Sequence, residues 1–455
     1  MLKRSKTKFF LFFIFLIFLL LLYLAFVYFI HKPDFQLSSK DTISYSGFKA
    51  TIDSTNVKIN SIQISGSKDG AELIDIYAND QILDSGNEIK IKIEFKSDSQ
   101  IVKMIRGDNL DHFYLHYSIG YENKFFTSFI KGKIELKIDF EPPSISNVNS
   151  DKYVYLGGIG FVTYDTSLDT LKSYVDAGSG NMFNPISVVG DNKISNLVFF
   201  SCFNIPCKNN KIIIKAEDKA GNAIFVSTTM KTIINKKWNI SYIKIDNNFL
   251  LNKYNEVMKN NLETVGIKEF KELNIEERKK NDLLLSLQTS KITNKKLFDS
   301  KFLQMRNSQV FSKFSEKRIY YIDDVDKPVD SQYHFGIDLA TTGNANVYAS
   351  NTGKVSYVNS NGVGIYGKVT IIDHGLGFYS LYSHLSDISV KVGDEVDKRT
   401  LIGKTGQTGY AYGDHLHFST YIQGVPFDPI ELWDKNYINL KIISIYNQFI
   451  AEATQ

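Results

Sequence analysis

The 455-residue sequence predicts a mainly β protein built as a single N-terminal transmembrane helix, two β-rich modules, a helical connector and a C-terminal antiparallel β-sheet domain. Three observations carry that prediction. Residues 9–30 are uniformly apolar; short alternating runs broken by turn residues fill 33–235; and residues 311–433 hold about half of the chain's 29 glycines among further short strands. A single domain has roughly 100–200 residues, so several separate cores are expected. With 43% hydrophobic and 22% charged residues and only 8 prolines, the chain has the composition of a globular protein.

Residues 1–8 form a basic stub with Lys3, Arg4, Lys6 and Lys8, followed by FFLFFIFLIFLLLLYLAFVYFI at 9–30. At about 1.5 Å per residue, a helix of this length covers the roughly 30 Å hydrocarbon core of a bilayer. A cleaved signal peptide is the alternative, but its apolar region is about 7–15 residues long and ends at a small-residue cleavage site. Here the exit is Val27-Tyr28-Phe29-Ile30-His31-Lys32, which offers no such site. The basic stub holds the N-terminus in the cytoplasm by the positive-inside rule, so everything beyond about residue 31 is expected outside it. The same four residues account for the net charge: 53 Lys and Arg against 49 Asp and Glu give +4, and removing the stub leaves 49 against 49. A formally neutral exported part argues against a general nucleic-acid binder.

Residues 31–141 read as the first β-rich module, with strict period-two runs such as Glu88–Phe95 and Lys133–Phe140. Pro142-Pro143 ends it. Residues 142–235 form the second module. Its Ala216-Glu217-Asp218-Lys219-Ala220-Gly221-Asn222 stretch resembles the late strand and turn of bacterial immunoglobulin-like modules, which implies a β-sandwich. Within it, Cys202 and Cys207 in C-F-N-I-P-C predict a short local disulfide, with two free thiols as the alternative. Residues 236–310 form the helical connector: Phe249, Leu250, Tyr254, Val257 and Met258 recur near helical spacing, and Asn274 reads as the N-cap of a second helix. Residues 311–435 form the C-terminal β domain. In the tail at 436–455, Ile442, Ile445, Tyr446, Phe449 and Ile450 share one helical stripe that is expected to dock on the domain; a membrane-surface helix is disfavoured by a single lysine among residues 439–455.

Chemistry concentrates in one place, because five of the eight histidines fall between residues 334 and 417. In His334-Phe335-Gly336-Ile337-Asp338 the spacing of four keeps both polar side chains on one face of an extended segment. In His415-Leu416-His417-Phe418 the two imidazoles point one way and the two apolar side chains the other. His384 sits in Leu381-Tyr382-Ser383-His384-Leu385. Two neutral imidazoles and one carboxylate are the ligand set of catalytic zinc sites, which leaves two histidines for proton transfer.

Taken in order, these pieces resemble the lysostaphin or LytM-type zinc metallopeptidase family, cell-wall endopeptidases that cleave peptide bonds in peptidoglycan. The similarity runs over about residues 314–430 and includes Phe314-Ser315-Glu316-Lys317-Arg318, HFGIDLA at 334–340, Gly353-Lys354-Val355, IDHGLGFYSLYSHL at 372–385, Thr405-Gly406-Gln407-Thr408-Gly409 and GDHLHF at 413–418. It implies an antiparallel β-sheet metallopeptidase domain in which His334, Asp338 and His417 bind one zinc ion and His384 and His415 are the catalytic pair. Zinc lowers the pKa of a bound water toward about 7 and polarises the scissile carbonyl, while one histidine accepts a proton and the other donates one. Which histidine does which is open at this stage.

Several positions depart from the family pattern or stand beside it. Ser419 occupies the place of a usual glutamate after H-L-H-F, which predicts a looser or differently tuned site if that acid supports a ligand. Asp414 replaces a common proline and reads as a turn variation. His374 reads as structural support near the groove, with metal binding as its alternative. His112 and His116, four apart, offer a weak second metal site, and His31 is placed at the membrane interface. The resulting expectation is a single-pass zinc metalloendopeptidase of the bacterial cytoplasmic membrane, acting on peptidoglycan cross-links and most consistent with a D,D-endopeptidase. The alternatives are a non-catalytic regulator that activates a wall amidase, and a wall-binding protein with a vestigial peptidase fold; the intact set of five polar residues disfavours both. The β modules are expected to carry the site toward the wall, to bind other cell-wall or division proteins, or to fold over the groove, with residues 236–333 as the hypothesised lid.

Overall fold

The computed structural model describes residues 14–23, 33–37, 42–43, 48–53, 58–67, 74–79, 88–93, 112–122, 127–178, 180–201, 211–233 and 239–454. Of the apolar run at 9–30, residues 14–23 are described, as a helix whose side chains are exposed. The rest of that run, and Cys202 and Cys207 with their expected disulfide, lie outside the described residues. Among the described residues no helix is long and apolar enough to cross a membrane.

The chain divides into two compact units, residues 1–143 with 217–223 and residues 144–216 with 224–455. The first unit holds a three-stranded and a five-stranded sheet, the latter centred on the long antiparallel pair His112–Glu122 and Thr127–Ile138. Ile59, Ile62, Ile64, Phe113, Leu115 and Ile119 are buried, the dry face that period-two alternation provides. His116 is spent on the Ser67 hydroxyl, with Nε2 and Oγ 3.0 Å apart, and His112 faces Glu135 at 3.9 Å. The group spaced to hold a metal among the described residues lies elsewhere, so the second metal site is not formed.

In the second unit, two four-stranded sheets come first. One is ordered Ile186–Val189, Ile194–Ser201, Ile159–Thr166, Ile145–Ser150; the other Met182–Phe183, Thr170–Asp176, Lys211–Asp218, Ala223–Thr229. Phe161, Val162, Leu197 and Phe199 from one sheet share a core with Val175, Phe183, Ile212 and Ile214 from the other. That core does not close on itself. Phe199 packs on Phe378 at 5.5 Å between ring centroids, and Phe298, Phe302, Phe427 and Phe449 continue the same cluster. Polar tethers fix the seam: Ile159 N donates to Glu431 Oε2 at 2.8 Å, and Asn184 and Gln423 exchange two hydrogen bonds at 2.7 and 2.9 Å. The tail helix Ser444–Ala453 joins this core, with Phe449 buried and Ile445, Tyr446 and Ile450 packed against it.

The site rests on an eight-stranded antiparallel sheet. Its strands are β1 (Gln309–Ser312), β2 (Ile337–Ala340), β3 (Gly353–Asn359), β4 (Lys368–Asp373), β5 (Phe378–Leu385), β6 (Glu395–Val396), β7 (Leu416–Ile422) and β8 (Val425–Phe427), ordered β1-β2-β7-β5-β4-β3-β6 with β8 beside β7. β5 carries Phe378, Tyr379 and Tyr382, β7 carries Phe418, Thr420, Tyr421 and Ile422, and every residue of both strands is buried, as befits central strands.

The connector is mixed. Strand Ile240–Lys244 runs parallel to Lys317–Tyr321. Helix α1 (Asn247–Met258) is capped by Asp246, whose carboxylate accepts from Phe249 N at 2.7 Å. A continuous helical run then begins at Ile267, passes through a π-turn at Glu272–Glu277, and ends as α2 (Arg278–Gln288). Asn274 is therefore an interior residue and not an N-cap. Its side chain is fully buried, donating to Asp330 Oδ2 at 2.7 Å and accepting from Arg278 at 2.8 Å, which leaves nothing to cap a helix.

Candidate metal centre and catalytic groove

Three side chains converge from two neighbouring strands and the turn before them. β2 pairs with β7 so that Asp338 lies opposite His417, and His334 enters from the segment preceding β2. Asp338 Oδ1 is 3.0 Å from His334 Nε2 and 2.9 Å from His417 Nδ1, and those two nitrogens are 2.9 Å apart. Gly336 makes the approach possible: a Cβ there would stand 2.5 Å from Ser419 Oγ, 2.6 Å from Phe418 O and 2.7 Å from His417 Cε1.

The outer atoms of the three groups are all engaged. His334 Nδ1 lies 3.0 Å from Lys313 O, a group that can only accept, so that nitrogen carries the proton and Nε2 presents its lone pair. Asp338 Oδ2 accepts from Arg318 Nη2 at 2.7 Å. Burial alone would raise the Asp338 carboxyl, but the imidazole of His334 and the Arg318 guanidinium outweigh it and hold it well below the usual carboxylate range. His417 Nε2 is 2.8 Å from Ser419 Oγ. Ser419, in the place of the glutamate, thus hydrogen-bonds the ring directly.

This donor set fits a tetrahedral zinc ion. Two nitrogens and one oxygen at bonds of about 2.0–2.2 Å would stand roughly 3.3 Å apart, so the separations here need to open by only a few tenths of an ångström. All three groups are nearly buried, and their outer partners fix ring orientation as metal-ligating histidines require.

His384 and His415 face each other beside this cluster, 4.8 Å between ring centroids. His384 reaches the groove through a β-bulge. Opposite it Lys368 pairs with Leu385 but Thr370 pairs with Tyr382, and His384 takes φ of +60°, a left-handed conformation costing about 1–3 kcal/mol in a non-glycine residue. Its Nδ1 is 2.8 Å from Thr408 O, and His415 Nδ1 is 2.8 Å from Gly413 O. In both rings Nδ1 donates to a carbonyl, so Nε2 is the exchangeable position. Burial, and then the neighbouring His415 and His417, push His384 well below its ordinary value. Burial also opposes charge on His415, but its bond to Asp338 and that carboxylate's charge raise it overall.

The groove around these residues has a volume of about 750 Å³ and takes walls from the connector strand (Ile240, Ser241), Phe311, and Tyr410 and Tyr412 of the loop before His415. Helix α1 is docked on that loop: Phe249 stacks on Tyr412 at 3.7 Å, and Gly409 N donates to Glu256 Oε1 at 2.8 Å. His374 does not line the groove. It is fully buried between Thr352 O at 2.8 Å and Ser380 Oγ at 2.7 Å. Asp414 serves its turn by accepting from Asn344 N at 3.0 Å. Arg318, Ser312 and Glu316 were missed as functional residues; they form a hydrogen-bonded group behind His334 and Asp338. The sequence signal for Glu316 and Arg318 is their place in the Phe314–Arg318 stretch; Ser312 lies before it and carries none.

Residues 332–429 match Peptidase family M23. Over 99 residues the chain is 36% identical to the DD-carboxypeptidase/endopeptidase Mpg of Neisseria meningitidis, a match covering 22% of each protein. Over 123 residues it is 30% identical to the peptidoglycan DD-endopeptidase ShyA of Vibrio cholerae, covering 27% of each. The chain therefore spans about a quarter of the length of these relatives. Among solved structures, the catalytic domain of the antimicrobial peptidase lysostaphin from Staphylococcus simulans matches at 26% identity, covering 27% of this chain and 90% of that one, with a TM-score of 0.23. Near its C-terminus the chain carries a domain of peptidase family M23.

Proposed function

We propose that the protein is a zinc metalloendopeptidase that hydrolyses peptide cross-links of peptidoglycan, with the D,D-endopeptidase relatives as the guide to the bond cut. The observation that carries this reading is the convergence of His334, Asp338 and His417, with the His384–His415 pair at its edge, inside one groove. His334 Nε2, Asp338 Oδ1 and His417 Nδ1 are the atoms that would hold the ion. When bound, zinc supplies Lewis-acid polarisation of the scissile carbonyl and acidifies the attacking water. The protein's own residues manage the protons: Nε2 of His384 or His415 accepts one from water and returns one to the leaving amine. Groove walls of Tyr410, Tyr412 and Phe311 give a peptide an apolar surface beside the reacting atoms.

The apolar run at 9–30 and the basic stub support a bacterial inner-membrane anchor with the peptidase outside the cytoplasm. Mass spectrometry of purified muropeptides incubated with the full chain, with and without a zinc chelator, tests the activity. Cross-linked dimers should fall to monomers only without chelator. Dimers that persist in both samples would remove the endopeptidase reading.

A further inference from the structure

We propose that Asn281 and Asp282, on connector helix α2, position His417 for metal binding by acting through Tyr366. The inference rests on the reading of His334, Asp338 and His417 as zinc ligands. It starts from a turn of 3-10 helix, Gly364–Tyr366, that is moulded onto α2. Asn281 Oδ1 accepts from Ile365 N at 2.8 Å. Gly364 has φ of +42°, and a Cβ there would lie 2.1 Å from Asn281 Oδ1, so helix and turn meet with no space between them. One residue along α2, Asp282 Oδ1 accepts from the Tyr366 hydroxyl at 2.7 Å.

Tyr366 in turn touches the ligand. Its ring meets that of His417 edge-on, 5.6 Å between centroids at an interplanar angle of 63°, and both residues are nearly inaccessible. On β7, His417 and Ser419 are spaced by two and share a face, and Ser419 Oγ is 2.8 Å from His417 Nε2.

A carboxylate accepts and does not donate, so the Tyr366 hydroxyl gives its proton to Asp282 Oδ1, which fixes the ring that packs on His417. The Tyr366 ring then limits the orientations open to the His417 imidazole, whose Nδ1 faces Asp338 and His334. Burial raises the Asp282 carboxyl above its ordinary value, and Arg278, four residues before it on the same helix, and the Tyr366 hydroxyl offset that only in part. The connector thus reaches His417 through Tyr366, which lines the same groove, as a positioning element.

The test uses the full chain and two variants, Asp282→Ala and Tyr366→Phe, each of which removes the bond between the two side chains. Zinc affinity is read by competition with a chromophoric chelator, and folding by thermal unfolding. Loss of outer-shell support is expected to weaken zinc by roughly 10–100-fold. Leu285→Ala, at another buried residue of the same helix, should lower thermal stability and leave zinc affinity within twofold. Zinc affinity within twofold of wild type in Asp282→Ala would overturn the inference even if Tyr366→Phe does not fold. A wild-type chain that binds no zinc would instead overturn the metal-site reading on which it rests.

Discussion

Burial of His374 gives a stability change of calculable size. The imidazole has no exposed surface, and burial lowers its pKa from 6.5 to about 4 against a small opposing effect of the Thr352 carbonyl. Below pH 6.5 the unfolded chain takes up a proton that the folded chain refuses. Stability due to this residue is therefore complete above pH 6.5 and falls as pH drops toward 4. At about 1.36 kcal/mol per pH unit, the loss reaches about 2.5 kcal/mol by pH 4.5. The comparison is with His374→Asn, which keeps a donor for Thr352 O and does not titrate. Urea unfolding of both proteins between pH 7.5 and 4.5, followed by tryptophan fluorescence, gives two stability curves. The variant starts lower, having lost the Ser380 bond, and the difference between the curves should shrink by about 2.5 kcal/mol across the range. The buried histidines shared by both proteins cancel. Parallel curves would refute the argument, because they would mean that His374 is charged in the fold or reaches solvent.

Replacing His417 with alanine should abolish stoichiometric zinc in metal analysis, while His384→Ala and His415→Ala should retain it and lose about 10²–10⁴-fold in turnover; retained turnover in either would remove that residue from the catalytic pair. Gly336→Ala places a methyl group against His417 and the backbone of β7, and thermal unfolding should report a loss of about 1–3 kcal/mol with weaker zinc binding. Arg318→Met strips Asp338 of its buried guanidinium, at a cost of about 3–5 kcal/mol to the metal-free protein. Zinc replaces that positive charge, so the same substitution should cost less in its presence, and an equal drop in melting temperature in both forms would contradict the ion-pair reading. Phe249→Ala removes the stack that braces the loop leading to His415, and kcat should fall by about tenfold; a rise would show that α1 acts as a lid.

The centre was legible because its chemistry is written in short intervals. H-x-x-x-D places two ligands on one face of an extended chain, H-x-H places one ligand and one of the catalytic histidines, and the pairing of β2 with β7 does the rest. What supports the centre was not legible. Arg318 and Ser312 come from separate segments before β2, and Asp282 reaches Tyr366 across 84 residues of sequence; no local period encodes such meetings. Asn274 shows the opposite failure. An asparagine before Ile-Glu-Glu has the local form of a cap, but a π-turn carries the helix through it once Asp330 and Arg278 satisfy its amide. Ser419 was read from what it lacks, a carboxylate, whereas its hydroxyl lies 2.8 Å from a ring nitrogen of His417.

The aromatic seam between the two-sheet module and the peptidase sheet bears on how this protein can be cut. Phe378, where the module rests through Phe199, opens the strand that ends in His384 and Leu385. A fragment beginning after residue 235 would bare the far side of a cluster that includes Phe298, Phe302, Phe378, Phe427 and Phe449, an exposed apolar area of the kind that drives association. Loss of activity in such a fragment would record clumping before it recorded regulation. The shortest piece whose behaviour speaks about the groove begins at residue 144, where the chain enters the second unit.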